Sequence, residues 1–227
     1  MRIDAKDSGG GSKSWTQEFN IVKQIKGAAA TGCRPYSIAK LNDDQFPVPL
    51  SAKGGKTAAS IVAIAFSQIG YHEGTYCKSN TQKGYSDCVI FPTDGNWTKY
   101  YSSGTPFNAG TGATAWCVIF AVWTLKQAGI NPPALSIGGR PFFKAYQDAG
   151  KWKFGGPGVE PKPGDTIIFA DKIGTKPIDW SWYHTGIVEF VANGRVHTIE
   201  GNAGSGVVKQ NSYDLGNKHI GGYGSNT

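Results

Sequence analysis

Trp116-Cys117-Val118-Ile119-Phe120-Ala121-Val122-Trp123-Thr124-Leu125-Lys126-Gln127-Ala128-Gly129 is an apolar run with one basic residue near its end and a glycine to stop it. The pattern predicts a helix over 115–128, with Thr114 as N-cap, Gly129 past the last turn and Pro132-Pro133 barring continuation. Cys117 then sits in the first turn. Backbone N–H groups there lack acceptors within the helix, and with the helix dipole they favour a thiolate. The same groups can hold the oxyanion of a tetrahedral intermediate. A cysteine on an apolar face is more commonly core packing, so a nucleophile at this position requires a base elsewhere.

Downstream, after a helix predicted over 141–149 with Pro141 in its first turn, the pattern turns to β. Pro161-Lys162-Pro163-Gly164-Asp165 reads as a turn into a strand over 166–170. Strands follow over 185–191 and 195–201, joined around Asn193-Gly194, then short strands over 207–213 and 219–223. Helices followed by consecutive antiparallel strands give an α+β fold, N-terminal helices packed on an antiparallel sheet. Of the four histidines, His184 opens a strand after Trp180-Ser181-Trp182-Tyr183, at a sheet end near loops, where catalytic groups tend to lie. His197 in mid-strand and His219 near the C-terminus read as packing or exposure. His72 lacks the second histidine of a zinc-protease motif.

The hairpin decides what can orient His184. A three-residue loop, Ala192-Asn193-Gly194 with Gly194 left-handed, pairs Val191 with Arg195 and carries His184 opposite Asn202 and Gly186 opposite Glu200. His184, Glu200 and Asn202 then share one face. A two-residue Asn-Gly loop shifts the register by one and sends both partners to the other face. In the first register, Glu200 or Asn202 can hold the imidazole tautomer that accepts a thiol proton.

Upstream, residues 57–69 are predicted helical, ended by Gly70, before a long polar loop over 71–113. Residues 1–56 are expected to form an arm or small accessory segment: an amphipathic helix after Ser14, Pro-containing irregular chain over 33–50 and a Gly-rich linker over 51–56. Residues 57–227 remain as the catalytic domain. Charged residues make up 17% of the chain against 32 glycines, which points to a loop-rich globular protein. The net charge of +7 favours polyanionic surroundings. Nucleic acid is not expected, because the basic residues are scattered and no recognition motif is present. The apolar runs are too short to span a bilayer, and residues 1–7 lack the apolar region of a secretory signal. No CxxC pair exists among Cys33, Cys77, Cys88 and Cys117. Cys77 and Cys88 bracket a polar loop, and both a disulfide and two free thiols remain open.

These landmarks together resemble the CHAP domain, the cysteine, histidine-dependent amidohydrolase/peptidase of the papain-like superfamily. The resemblance rests on 116–123 with Gln127-Ala128-Gly129-Ile130, on Pro163-Gly164-Asp165 with its strand, on His184-Thr185-Gly186-Ile187-Val188, and on Thr198-Ile199-Glu200-Gly201-Asn202. Ser67-Gln68-Ile69-Gly70 with Glu73-Gly74 is similar to the opening helix of many members. It implies a papain-like fold and cleavage of an amide bond in peptidoglycan, by an N-acetylmuramoyl-L-alanine amidase or a peptide endopeptidase. It further implies Cys117 as nucleophile, His184 as base and Glu200 as orienter with Asn202 nearby, acting through a thioester acyl-enzyme without a cofactor. Calcium is not carried over, since the region before Cys117 offers only Asp87 and Asp94. Trp116, Trp180, Trp182 and Tyr183 are expected to line the substrate groove. The expected protein is a monomer acting at the bacterial wall, a phage lysin or secreted hydrolase. The alternatives are an interbacterial effector toxin, with an immunity or inhibitor protein as partner, and a non-catalytic wall-binding module.

Overall fold

The computed structural model describes residues 46–71, 98, 100, 115–134, 138–172, 175–204 and 206–227, and the backbone of strands over 4–6, 12–14, 75–80 and 85–90. The chain divides into two compact units, Met1–Cys33 and Arg34–Thr227. In the first, β1 (Asp4–Lys6) and β2 (Ser12–Ser14) pair antiparallel. The helix expected after Ser14 and the Thr114 cap lie outside the described residues.

The second unit is an antiparallel sheet with helices against it, an α+β fold. Its helices among the described residues are α1 (Ala58–Phe66), α2 (Cys117–Gln127) and α3 (Gly139–Asp148). The strands are β5 (Trp152–Phe154), β6 (Thr166–Asp171), β7 (Ser181–Ala192), β8 (Arg195–Ala203), β9 (Val207–Asp214) and β10 (Ile220–Gly224), in spatial order β5-β10-β6-β7-β8-β9. The polar stretch expected to be loop contains β3 (Thr75–Asn80) and β4 (Tyr85–Ile90), whose register sets Cys77 opposite Cys88. No described helix is long and apolar enough to cross a membrane.

Sequence explains most of these elements. Thr57 caps α1, its hydroxyl accepting from the Ser60 N–H at 3.1 Å. That helix stops at Phe66, short of the expected end, and Gly70 at φ 91° directs the chain to β9, its N–H donating to Val208 O at 2.8 Å. Residues 117–125 of α2 are all buried, as an all-apolar helix requires. Only one side of α3 is buried, through Phe142, Phe143 and Tyr146.

Alternation splits the sheet's side chains between two clusters. Ile168, Ala170, Trp182, Ile187, Ile199 and Val208 join the helices in the main core. Ile167, Phe169, Val188, Val196, Ile220 and Tyr223 form a second cluster. Each fully buried Ile, Val or Phe stabilises the fold by about 1.5–3 kcal/mol. The main core also takes in residues before Thr57. Phe46 and Val48 pack on it, Ala52 is buried, and the Gly54 and Lys56 N–H groups each donate at 2.8 Å, to Gln127 O and Ala128 O.

The β7–β8 hairpin differs from the expected three-residue loop. Ala192 pairs with Arg195, so the turn has two residues, Asn193 at φ 51° and Gly194 at φ 72°. These signs mark the primed turn that suits a two-residue hairpin. Left alone, this turn would put Glu200 on the wrong face. A bulge corrects it: Phe190 pairs with His197 but Val188 pairs with Thr198, leaving Glu189 as the extra residue. Beyond the bulge, the ladder runs in the register the longer loop would have given.

Candidate active site

Cys117 is the first residue of α2, with Trp116 at the N-cap position. Its N–H and that of Val118 therefore face no intrahelical acceptor, and the first helical bond runs from Phe120 N to Trp116 O at 2.9 Å. The thiol is free and buried. The His184 side chain is close enough to interact with the sulfur.

His184 lies on β7 beside a second bulge. It pairs with Phe169, whereas Ala170 pairs with Trp182, so Tyr183 is extra. The imidazole rests against the Phe169 ring at 5.8 Å between centroids. Its Nε2 is 2.9 Å from Glu200 Oε2, which leaves Nδ1 for the sulfur.

Glu200 is 1% exposed, and so deep a carboxylate needs donors. It has four. His184 Nε2, Asn211 Nδ2 at 2.7 Å and Tyr213 Oη at 3.2 Å reach Oε2, and Thr198 Oγ1 reaches Oε1 at 2.6 Å. Strand geometry supplies them: Thr198 lies two residues before Glu200, and Asn211 pairs with Thr198 across β8–β9.

Two glycines let these groups approach. A Cβ on Gly186 would lie 2.6 Å from Glu200 Cγ, so its absence makes room for the carboxylate. A Cβ on Gly201 would lie 2.5 Å from Phe120 Cβ and 2.7 Å from the Trp116 ring, so its absence lets α2 sit close on β8.

The electrostatics favour a charged pair. Burial pulls His184 toward the neutral form, but hydrogen bonds to Cys117 and Glu200 and the negative charge on both outweigh it, pushing the imidazole up to about 10. Burial likewise works against the Glu200 carboxylate, and the hydrogen bond and positive charge of His184, with Thr198 and Asn211, hold it below its ordinary value. Tyr213 is pushed well up by burial and then by the Glu200 charge, so it remains a donor. The arrangement can hold a thiolate beside an imidazolium, with a fixed carboxylate behind the ring.

An open cleft of about 410 Å³ lies beside His184 and Glu200, lined by Tyr183, His184, Glu200, Asn202, Lys209 and Tyr213 among others. Residues 108–202 match the family model of the CHAP domain, a span containing Cys117, His184, Glu200 and Asn202. No curated protein matches the chain. CHAP domains are generally hydrolases that act on peptidoglycan, as amidases or peptidases, and so work on the cell wall.

The structure places the other expected groove residues unequally. Tyr183 is 47% exposed and lines the cleft. Trp116 is not in the cleft. It is fully buried, stacked on Tyr100 at 5.5 Å, because the residue before Cys117 points into the core. Trp182 is also buried, stacked on Phe143 at 4.1 Å, with Trp180 beside it at 5.5 Å. Asn202 lines the cleft at φ 55°, but among the described residues no hydrogen bond joins it to His184. Thr198, Asn211 and Tyr213 were missed by sequence reading. Period-two alternation from Glu200 points to Thr198, and the β8–β9 register to the other two.

Proposed function

We propose that the protein cleaves an amide bond of peptidoglycan as a cysteine hydrolase, with Cys117 as nucleophile, His184 as base and Glu200 as orienter, on a papain-like arrangement of helix and sheet. The observation that carries this reading is the His184 imidazole set between the Cys117 thiol and Glu200, with Nε2 2.9 Å from Oε2. The thiolate adds to the amide carbonyl, and the N–H groups at the start of α2 stabilise the oxyanion. The His184 imidazolium gives its proton to the departing amine as the C–N bond breaks, leaving a thioester on Cys117. Neutral His184 then takes a proton from water, the hydroxide displaces the sulfur, and the carboxylic acid leaves.

The bond is that between N-acetylmuramic acid and L-alanine, or one within the peptide. The biological setting is a phage lysin or secreted wall hydrolase, which the +7 charge suits on an anionic wall. Purified sacculi digested with the wild type should release muropeptides whose masses identify the bond. Cys117→Ala should release none above the buffer control. Wild-type release by a folded Cys117→Ala protein would end the cysteine-hydrolase reading.

A further inference from the structure

The cleft beside His184 contains a cation for which the proposed chemistry has no use. Lys209 sits on β9 directly opposite Glu200 and lines the same cleft. Its side chain crosses the β8–β9 turn, with Nζ 3.2 Å from where a Cβ on Gly204 would lie, and Gly204 has none. Lys209 is exposed. Among the described residues its ammonium has no ion pair and no hydrogen bond.

Charge balance does not explain it. Glu200 is the acid across the ladder, and its oxygens already accept from His184, Asn211, Tyr213 and Thr198. Among the described residues lining the cleft, Lys209 and His184 are the basic ones, and His184 is committed to Cys117 and Glu200. A free ammonium in a cleft that His184 also lines attracts an anionic group on whatever occupies it. Asn202 also lines this cleft, in a left-handed conformation that few side chains adopt, at φ 55°. Its amide adds a neutral donor to the cation in one cleft, the pairing a carboxylate uses.

We propose that Lys209, with Asn202, binds a free carboxylate of the wall peptide close to the scissile amide and thereby selects carboxylate-bearing over amidated peptides. This inference rests on the peptidoglycan-hydrolase reading and deepens it. Wall peptides are where carboxylates and amide bonds alternate within a few bonds of each other, so one segment can meet both Lys209 and His184.

The test compares two muropeptides that differ only in whether the stem-peptide carboxylates are free or converted to carboxamides. Binding is measured calorimetrically on Cys117→Ala protein, and turnover on the protein with Cys117 intact. With Lys209 present, the carboxylate form should bind at least tenfold more tightly and show a correspondingly higher kcat/KM. Lys209→Gln should bring the two forms to within about twofold, and Lys209→Arg should keep the preference. Equal handling of both muropeptides by the unmodified site, or a preference that survives Lys209→Gln, overturns the proposal. Turnover of both forms without preference sinks only this inference. Failure of the wild type to release anything from sacculi sinks the hydrolase reading beneath it.

Discussion

His184 Nε2 lies 2.9 Å from Glu200 Oε2, and that contact exists because one residue, Glu189, stands out of register between them and their turn. The two-residue turn at Asn193-Gly194 and the bulge at Glu189 each shift the pairing by one. Their combined effect returns Glu200 to the face of His184. A buried carboxylate with four donors then holds the ring by its far nitrogen.

The first prediction concerns pH. Imidazolium at His184 is favoured up to about 10, so the alkaline limb of kcat/KM should fall late. Glu200→Gln removes the carboxylate that favours the charged ring, and should move that limb to lower pH while cutting kcat by about 100-fold or more. For stability the signs are opposite for the two groups. The raised His184 contributes fully below its ordinary 6.5 and loses that contribution as pH rises toward about 10. The lowered Glu200 contributes above its ordinary 4.5 and loses that contribution on acidification. Melting temperature against pH should therefore flatten between these limits for the wild type, and in Glu200→Gln lose the acid slope and keep a weaker alkaline one, which Cys117 sustains. An unmoved alkaline limb in that variant would remove Glu200 from the site.

A second prediction separates Glu200's holders from its rival. Asn211→Ala and Tyr213→Phe each strip one donor from Oε2, and each should cost about 1–3 kcal/mol of stability. Both should also shift the alkaline limb, in the direction set by a carboxylate less firmly held. Asn202→Ala should lower stability by about 1–2 kcal/mol through its left-handed backbone, yet leave the limb in place. A moved limb in Asn202→Ala alone would make it the orienter instead.

The α+β architecture and the place of Cys117 in a helix's first turn are legible because they rest on strong local signals. An all-apolar helix stopped by glycine, alternating strands and the Asn-Gly turn each point one way. The hairpin register was reached through the wrong turn, because a bulge leaves no mark in composition: Glu189 looks like any strand residue. Trp116 and Trp182 were misplaced for a similar reason. An indole beside a candidate nucleophile can face the groove or the core, and only the helix start at Cys117 decides. Strand β5, three residues long, is too short to show a period.

Glycine contacts give a third prediction. Gly201→Ala would force a methyl to within 2.5 Å of Phe120 Cβ, so α2 must lift from β8. Overpacking of this kind costs about 1–3 kcal/mol. Because Cys117 begins that helix, kcat should fall more than stability alone would explain. Gly186→Ala, crowding Glu200 Cγ at 2.6 Å, should lower kcat and shift the alkaline limb as well. Gly194→Val meets nothing within 4 Å but needs φ 72°. It should lower the melting temperature and spare kcat, since it is remote from the sulfur. If Gly194→Val instead removed activity while Gly201→Ala kept it, the turn rather than the close packing of α2 would be what sets the site.

The last prediction tests where the catalytic unit begins. A boundary at Thr57 would cut through contacts that hold α1 and α2 together. The Phe46 ring meets Tyr71 edge-on at 5.7 Å, and Gln68 Nε2 donates to Phe46 O at 3.2 Å. Tyr71 in turn packs on Trp116 at 6.1 Å, the residue next to Cys117. Gly54 N–H and Lys56 N–H satisfy the last carbonyls of α2 and its C-cap, at Gln127 and Ala128, a role that water must take over once they are gone. Phe46 is partly buried, so its loss costs less than the roughly 3–5 kcal/mol of a fully buried aromatic. With the lost partners of the α2 carbonyls it is still a large share of a small domain's stability. Protein lacking residues 1–45 should therefore keep its cooperative melt and its release of muropeptides from sacculi. Protein lacking residues 1–56 should melt several degrees lower and lose activity in proportion to the unfolded fraction. Equal melting temperatures for the two truncations would show that the segment from Phe46 to Lys56 is dispensable and restore the boundary at Thr57.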